Sequence, residues 1–228
     1  MHYFSRITFD TRHTDAARLA ETFCDNAYRE HQELWRLFEL DPDADRDFLY
    51  RRELLPDALQ YLVVSQREPV VPNNSWRIET KPYHPKLTSG QKLAFQIRVN
   101  PVVTKKNTDG KSRRHDVVMD RKMEIGYQEL AGTERPPMAE IIQQTAEGWL
   151  QKRAENHGFT VEPKAIRAEA YQQQLASKKG GKTPIRYSTL DITGVLTVAD
   201  TQLFNSSLLY GLGPAKAFGC GLLLVRQI

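Results

Sequence analysis

Tyr28 and His31 lie three residues apart in Asn26-Ala-Tyr-Arg-Glu-His-Gln-Glu-Leu-Trp-Arg-Leu-Phe38. On a helix that spacing puts both side chains on one side. Histidine exchanges a proton near neutral pH, so it can take one from a reacting oxygen or return one to it. A tyrosine beside it can orient the ring or donate to a phosphate. His31 also falls on the stripe of Phe23, Ala27, Leu34 and Trp35, where a hydrogen-bonded core histidine is the competing reading. His13, His84 and His157 sit in loop or helix-end contexts, and His115 belongs to a basic run. None of them has a second ligand at a compact metal-binding spacing. Asp41, Asp43, Asp45 and Asp47 lack the glycine and terminal glutamate of a calcium loop and read as a solvated capping run. Nucleophile-elbow, P-loop and dinucleotide motifs are missing from their required settings. The expected chemistry is proton transfer with no metal and no cofactor.

A second group of residues suits a polyanion. The tail Gly211-Leu-Gly-Pro-Ala-Lys-Ala-Phe-Gly-Cys-Gly221 brackets Lys216 with Gly211, Gly213, Gly219 and Gly221. Glycine lets another polymer approach the backbone closely, and lysine supplies a charge suited to phosphate. Two basic segments join it. Lys105 to His115 carries Lys105, Lys106, Lys111, Arg113 and Arg114, and Ser177 to Arg186 carries Lys178, Lys179, Lys182 and Arg186. Either alone reads as a solvated tip. Together in one half of the chain they favour RNA or DNA, because a thin basic hairpin can contact phosphates on both sides of a groove. Net charge agrees: residues 1–95 hold 13 Lys+Arg against 15 Asp+Glu, and residues 96–228 hold 19 against 13. The aromatic signature of an ordinary RNA-recognition motif is missing, so stacking of bases on a sheet is not the expected mode.

The elements that must position these groups follow from periodicity. Tyr3–Phe9 alternates with period two and reads as a strand. Thr14-Asp15 offers an N-cap before an apolar helical stripe. The pattern resumes through Ala27, His31, Leu34 and Phe38, as a second helix capped by Asp25-Asn26 or as one bent helix. Strands are expected at Phe48–Tyr50, Ala58–Ser65 and Lys92–Asn100, with a loop after Pro69. Thereafter come a mobile loop or hairpin tip over 104–114, a helix from about Pro137 to Asn156, and strands at Phe159–Val161, Ala165–Tyr171 and Ile185–Val198. A short helix at Asp200–Leu209 and a final strand at Leu222–Val225 complete the chain. The order strand-helix-strand-strand-helix-strand is the ferredoxin-like plan. The expected fold is α+β, with two tandem ferredoxin-like (RNA-recognition-motif-like) domains whose antiparallel sheets are backed by helices. The expected division is 1–92, with the Tyr28/His31 helix, and 93–228, with the basic hairpin and glycine loop.

At 228 residues, 40% hydrophobic and 26% charged, the chain has ordinary globular composition. It contains no apolar run long enough to span a membrane, and its N-terminus lacks a signal peptide's apolar core. Two cysteines, Cys24 and Cys220, fit a reduced, cytoplasmic protein.

The residues quoted so far carry a resemblance. Tyr28 to Phe38 with Asp45-Arg-Asp-Phe-Leu49, Phe95-Gln-Ile-Arg-Val-Asn-Pro101, Gly194-Val-Leu-Thr197 and Gly211 to Leu223 are similar to the CasE family of type I-E CRISPR RNA-processing endoribonucleases. The motifs extend over essentially the whole chain. The resemblance implies two ferredoxin-like domains and metal-independent cleavage of precursor CRISPR RNA at the base of each repeat hairpin. It implies attack by the ribose 2′-OH, leaving a 2′,3′-cyclic phosphate or 3′-phosphate and a 5′-OH. His31 falls on the family's catalytic histidine and Tyr28 on a tyrosine of some members. Lys178, Lys179 and Lys182 compete for an assisting role. The implied partners are the repeat hairpin RNA and other Cascade subunits, with a monomer when free. The competing class is an inert RNA-binding scaffold subunit of the same fold.

Overall fold

The computed structural model describes residues 1–10, 23, 27–38, 46–55, 58–106, 108–177 and 184–228. The expected caps at Thr14-Asp15 and Asp25-Asn26 lie outside them, as do Asp41, Asp43 and Asp45, Cys24, and Lys178, Lys179 and Lys182.

The first sheet contains β1 (Tyr3–Asp10), β2 (Phe48–Leu54), β3 (Ala58–Ser65) and β4 (Trp76–Pro82), in the order β2-β3-β1-β4 with every pair antiparallel. Helix α1 (Ala27–Trp35) follows β1 in the chain. Period two divides the strands between two faces. Phe48, Tyr50, Tyr61 and Val63 join Leu34, Leu37 and Phe38 in one core, whereas Leu49 and Val64 point the other way and pack on Leu222. Both faces of this sheet are therefore covered, one by the helical segment and the other by the C-terminal part of the chain.

The second sheet contains β5 (Lys92–Val99), β8 (Phe159–Ala176), β9 (Ile185–Val198) and β10 (Leu223–Gln227), in the order β10-β5-β9-β8, again antiparallel. Between β5 and β8 stand the hairpin β6 (Val102–Lys106) and β7 (Ser112–Asp116), then α2 (Val117–Glu124) and α3 (Met138–Ala154). Helix α4 (Thr201–Tyr210) precedes the glycine loop and β10. Trp149, Leu150, Phe159, Ile192, Phe204 and Leu208 form the centre of this core. Asp200 caps α4 by accepting from the N–H groups of Gln202 (2.8 Å) and Leu203 (2.9 Å). The two sheets share the strand order of the ferredoxin-like fold, and the chain is a tandem of that unit.

Three expectations change. The segment after Pro69 is not all loop, because Trp76–Pro82 is an edge strand paired only with β1. An edge strand needs one apolar face and tolerates charge and proline, so Arg77, Glu79 and Pro82 hid it. No helix lies between β3 and β4, since residues 66–75 are irregular. The first unit therefore lacks the second crossover helix. The expected strands Phe159–Val161 and Ala165–Tyr171 are one strand, with register shifts between Val161 and Ile166 and between Glu169 and Gln172. Gly194 faces the first shift: a Cβ there would lie 2.2 Å from the Ala165 carbonyl oxygen, so only glycine fits beside the bulge.

Candidate active site and nucleic-acid interface

Helix α1 lies on the first sheet, with Leu34 buried and Tyr28 and His31 half-buried. The His31 ring stacks on Phe48 (centroids 5.8 Å apart, planes at 29°) and meets Trp35 edge-on at 5.7 Å. Its Nδ1 is buried and has no hydrogen-bond partner. His31 is thus fixed by aromatic contact, not by a polar network, which removes the competing reading of a hydrogen-bonded core histidine. Burial, seconded by the positive charge of Arg46, pushes its pKa down to about 4. At neutral pH the ring is uncharged and able to accept a proton.

The same shift couples folding to pH. His31 has an ordinary pKa of 6.5 in the unfolded chain and about 4 in the fold, so the unfolded state binds more protons between those values. The stability that depends on neutral His31 is present above pH 6.5 and is lost as pH falls toward 4. In thermal unfolding over a pH series, a His31→Gln variant should lose less stability across that window than the parent. Parallel curves would show that the ring is not so shifted. His2 and His157, also lowered by burial, are common to both proteins and cancel in the comparison.

Glu30, one residue before His31, turns inward. It accepts from the Tyr61 hydroxyl (2.8 Å) and lies 3.4 Å from Arg52, which also donates to the Phe23 carbonyl (2.7 Å). Burial raises the Glu30 pKa, and Arg52 opposes it. This buried ionic group anchors α1 to β2 and β3 but was not singled out from sequence. Its only signal there was a glutamate one residue off the apolar stripe.

The glycine loop closes on itself. Leu212 N–H donates to the Gly221 carbonyl (2.9 Å), and Gly221 N–H donates to the Arg98 carbonyl on β5 (2.7 Å). A Cβ on Gly211 would lie 2.7 Å from the Gly221 carbonyl oxygen, and one on Gly221 would lie 2.8 Å from that of Leu212. Gly211, Gly219 and Gly221 are buried and have φ of 74°, 74° and 92°. Gly211 and Gly221 serve the close approach of the loop's own backbone, and Gly219 lies against the Tyr50 ring, where a Cβ would be 3.2 Å from it. Gly213 packs beside the Trp149 ring. The Tyr50 hydroxyl on β2 donates to the Ala217 carbonyl (3.1 Å), seating the loop against the first sheet. Lys216 is half-buried and donates to the Tyr210 carbonyl (2.6 Å) at the C-terminus of α4, a favourable end for a cation. The turn Lys216–Phe218 packs on α1, which brings the tail and His31 to one place.

The basic segments converge beyond that turn. Phe218 stacks on Tyr187 of β9 (4.8 Å, 21°). The pair borders a cleft of about 820 Å³ whose walls include Arg114 of β7, Arg186 of β9, Asn100 and Asp116. Lys106, Lys111, Arg113, Arg114 and Arg186 are exposed. Lys105 is held by Asp120 and Glu124 of α2, so its charge is partly neutralised. Val102–Lys106 and Ser112–Asp116 pair antiparallel in register, Lys105 facing Arg113. No helix is long and apolar enough to cross a membrane among the described residues.

The chain is an α+β protein of tandem ferredoxin-like units, with a half-buried histidine on α1 of the first and a cleft bordered by Arg114 and Arg186 in the second. The family described as CRISPR associated protein matches residues 2–227, and the chain belongs to it. It is 30% identical to the CRISPR system Cascade subunit CasE of Escherichia coli (strain K12), over 92% of this chain and 96% of that one. It is 31% identical to the CRISPR-associated endoribonuclease Cse3 of Thermus thermophilus, over 64% and 60% of the two chains. The fold matches that of Thermus thermophilus Cse3 bound to an RNA representing a pre-cleavage complex, with a TM-score of 0.71, 22% identity, and coverage of 99% of this chain and 100% of that one.

Proposed function

We propose that this protein is a metal-independent endoribonuclease that cleaves precursor CRISPR RNA at the base of the repeat hairpin and keeps its product as a Cascade subunit. The observation that carries the reading is the half-buried, neutral His31, set on the helix that packs against the turn leading to the basic cleft. The names of its relatives, an endoribonuclease and a Cascade subunit, support it.

In the proposed reaction the 2′-oxygen upstream of the scissile phosphate attacks phosphorus, forming a new O–P bond while the bond to the 5′-oxygen breaks. His31 takes the proton of the 2′-OH, and water supplies the proton that the leaving 5′-oxygen takes up. With Nδ1 buried, Nε2 is the nitrogen placed to exchange that proton. Tyr28 orients the 2′-OH or the phosphate from one turn earlier. In-line placement of the nucleophile supplies much of the remaining acceleration. Lys106, Lys111, Arg113, Arg114 and Arg186, with Lys178, Lys179 and Lys182, hold the stem. An A-form major groove is deep and narrow, and a thin hairpin is a suitable reader of it.

A division near 92/93 is supported by strand pairing, since among the described residues β1–β4 pair among themselves and β5, β8, β9 and β10 do likewise, with Lys92 the first residue of β5. A reduced, cytoplasmic protein fits the free, buried Cys220, whose thiol burial pushes up to about 12; before assembly it is a monomer.

The test is cleavage of repeat RNA in EDTA with analysis of the product ends. A 2′,3′-cyclic phosphate or 3′-phosphate with a 5′-OH is expected. Tight binding without any cleavage would replace the enzyme by a scaffold subunit. A 5′-phosphate product, or complete inhibition by EDTA, would overturn the proposed chemistry.

A further inference from the structure

Two cationic side chains and the imidazole of His31 lie near one another where β2 begins. His31 arrives from α1, Lys216 from the glycine loop, and Arg46 from the chain two residues before Phe48, the ring on which His31 stacks. Arg46 lies near enough to both of the others to lower their pKa values. Neighbouring arginines have carboxylate partners: Arg51 with Glu53 at 2.7 Å, Arg67 with Asp47 at 2.6 Å, Arg98 with Asp191 at 2.7 Å. Arg46 has none among the described residues, and its Nε is buried without a hydrogen-bond partner. Asp47, adjacent in sequence, is committed to Arg67 through two bonds, at 2.6 and 2.9 Å.

Buried charge is ordinarily paired, because removing a guanidinium from water without compensation is costly. Here a half-buried guanidinium stands beside an imidazole whose Nδ1 also lacks a partner and a half-buried ammonium held only by a carbonyl. Such an arrangement costs stability in the free protein and is offset when an anion arrives. A phosphodiester matches it, since the charge on its non-bridging oxygens increases as the attacking oxygen adds to phosphorus.

We propose that Arg46 is a catalytic residue of the reaction centre, binding a non-bridging oxygen of the scissile phosphate that His31 serves, with Lys216 adding to the same field. The inference rests on the endoribonuclease reading above and adds the group that stabilises the developing charge. A positive charge already present at the site stabilises the negative charge that develops on the phosphate oxygens. Its hydrogen bond strengthens toward the transition state, so it contributes more to rate than to affinity.

The experiment uses the full chain with repeat hairpin RNA under single-turnover conditions. Arg46→Gln should slow cleavage by about 10²-fold. Its affinity for a hairpin carrying a 2′-deoxy ribose at the cut site should stay within a few-fold of the parent. Arg46→Lys, which keeps the charge but loses the fork, should fall between the two. In the free protein, the His31 pKa followed by NMR should rise in Arg46→Gln, because a neighbouring positive charge is removed. Parental cleavage by folded Arg46→Gln overturns the inference and leaves the endoribonuclease reading intact. If the parent itself does not cleave, both fall. An unmoved His31 pKa shows that the two groups do not share a site, and that too overturns it. Should Arg46→Gln fail to fold, Arg46→Lys decides: full parental cleavage by it removes the specific role of the guanidinium.

Discussion

Replacing His31 with alanine is expected to slow hairpin cleavage by about 10²–10⁴-fold, the usual contribution of a positioned proton-transfer group. Affinity for the RNA should change little, because the basic side chains proposed to hold the stem belong to the 105–115 and 177–186 segments and not to α1. The comparison is clean. The ring makes no hydrogen bond through Nδ1, and its aromatic neighbours Phe48 and Trp35 also pack on one another, Phe48 packing on Phe38 as well. Alanine therefore leaves no buried polar partner unsatisfied. A 2′-deoxy ribose at the cut site removes the nucleophile and should stop the parent protein in the same way while leaving binding intact. If His31→Ala cleaves at the parental rate, the proton acceptor lies elsewhere. If the 2′-deoxy substrate is still cut, attack by water or another oxygen must replace the 2′-OH mechanism.

Much of this site was legible in the sequence because its parts are local. A histidine and a tyrosine three residues apart need only a helix to share a side, and the apolar stripe through Leu34 and Phe38 specified that helix. The ferredoxin-like order of the second unit was likewise legible, since Lys92–Val99 and Ile185–Val198 alternate strongly and glycine follows α4. What was not legible depends on contacts distant along the chain. Glu30 reads as a surface glutamate until β2 and β3 bring Arg52 and Tyr61 against it. Gly211 and Gly221 read as surface for a ligand until the Gly221 carbonyl is found accepting from Leu212 and lying 2.7 Å from where a Gly211 Cβ would be. Arg46 reads as part of an Asp-rich run. Its singular position emerges only when Asp47 is seen to be taken by Arg67. Periodicity reports which face a residue occupies, whereas these cases turn on which charge finds which partner.

The seam between the two sheets carries the second large effect. Asp191 of β9 accepts from Arg98 Nε (2.9 Å) and its terminal nitrogen (2.7 Å), and lies 3.5 Å from Arg51 of β2. The Asp191 side chain is 14% exposed and that of Arg51 10%. This carboxylate is shared by strands of both units, close to Leu49, Val64 and Leu222, which supply the apolar part of the seam. Asp191→Ala would leave two partly buried guanidinium groups facing each other, with Glu53 the remaining partner of Arg51. Removing one member of a buried ion pair costs about 3–5 kcal/mol. Because Arg98 is one-third exposed, the lower end, about 3 kcal/mol, is expected. For a chain of this size that corresponds to a fall in Tm of about 6–12 °C. The change should also reach the chemistry. His31 rides on the first unit and the glycine loop on the second, so a loosened seam lets the ring move relative to a bound phosphate. Asp191→Ala should therefore cleave more slowly even at temperatures where it is fully folded. Asp191→Leu combined with Arg51→Met, which exchanges the charges for apolar volume, should recover most of the stability. Recovery of stability without recovery of rate would assign Asp191 to the alignment of the two units. Parental Tm in Asp191→Ala would show that the seam is held by its apolar contacts alone.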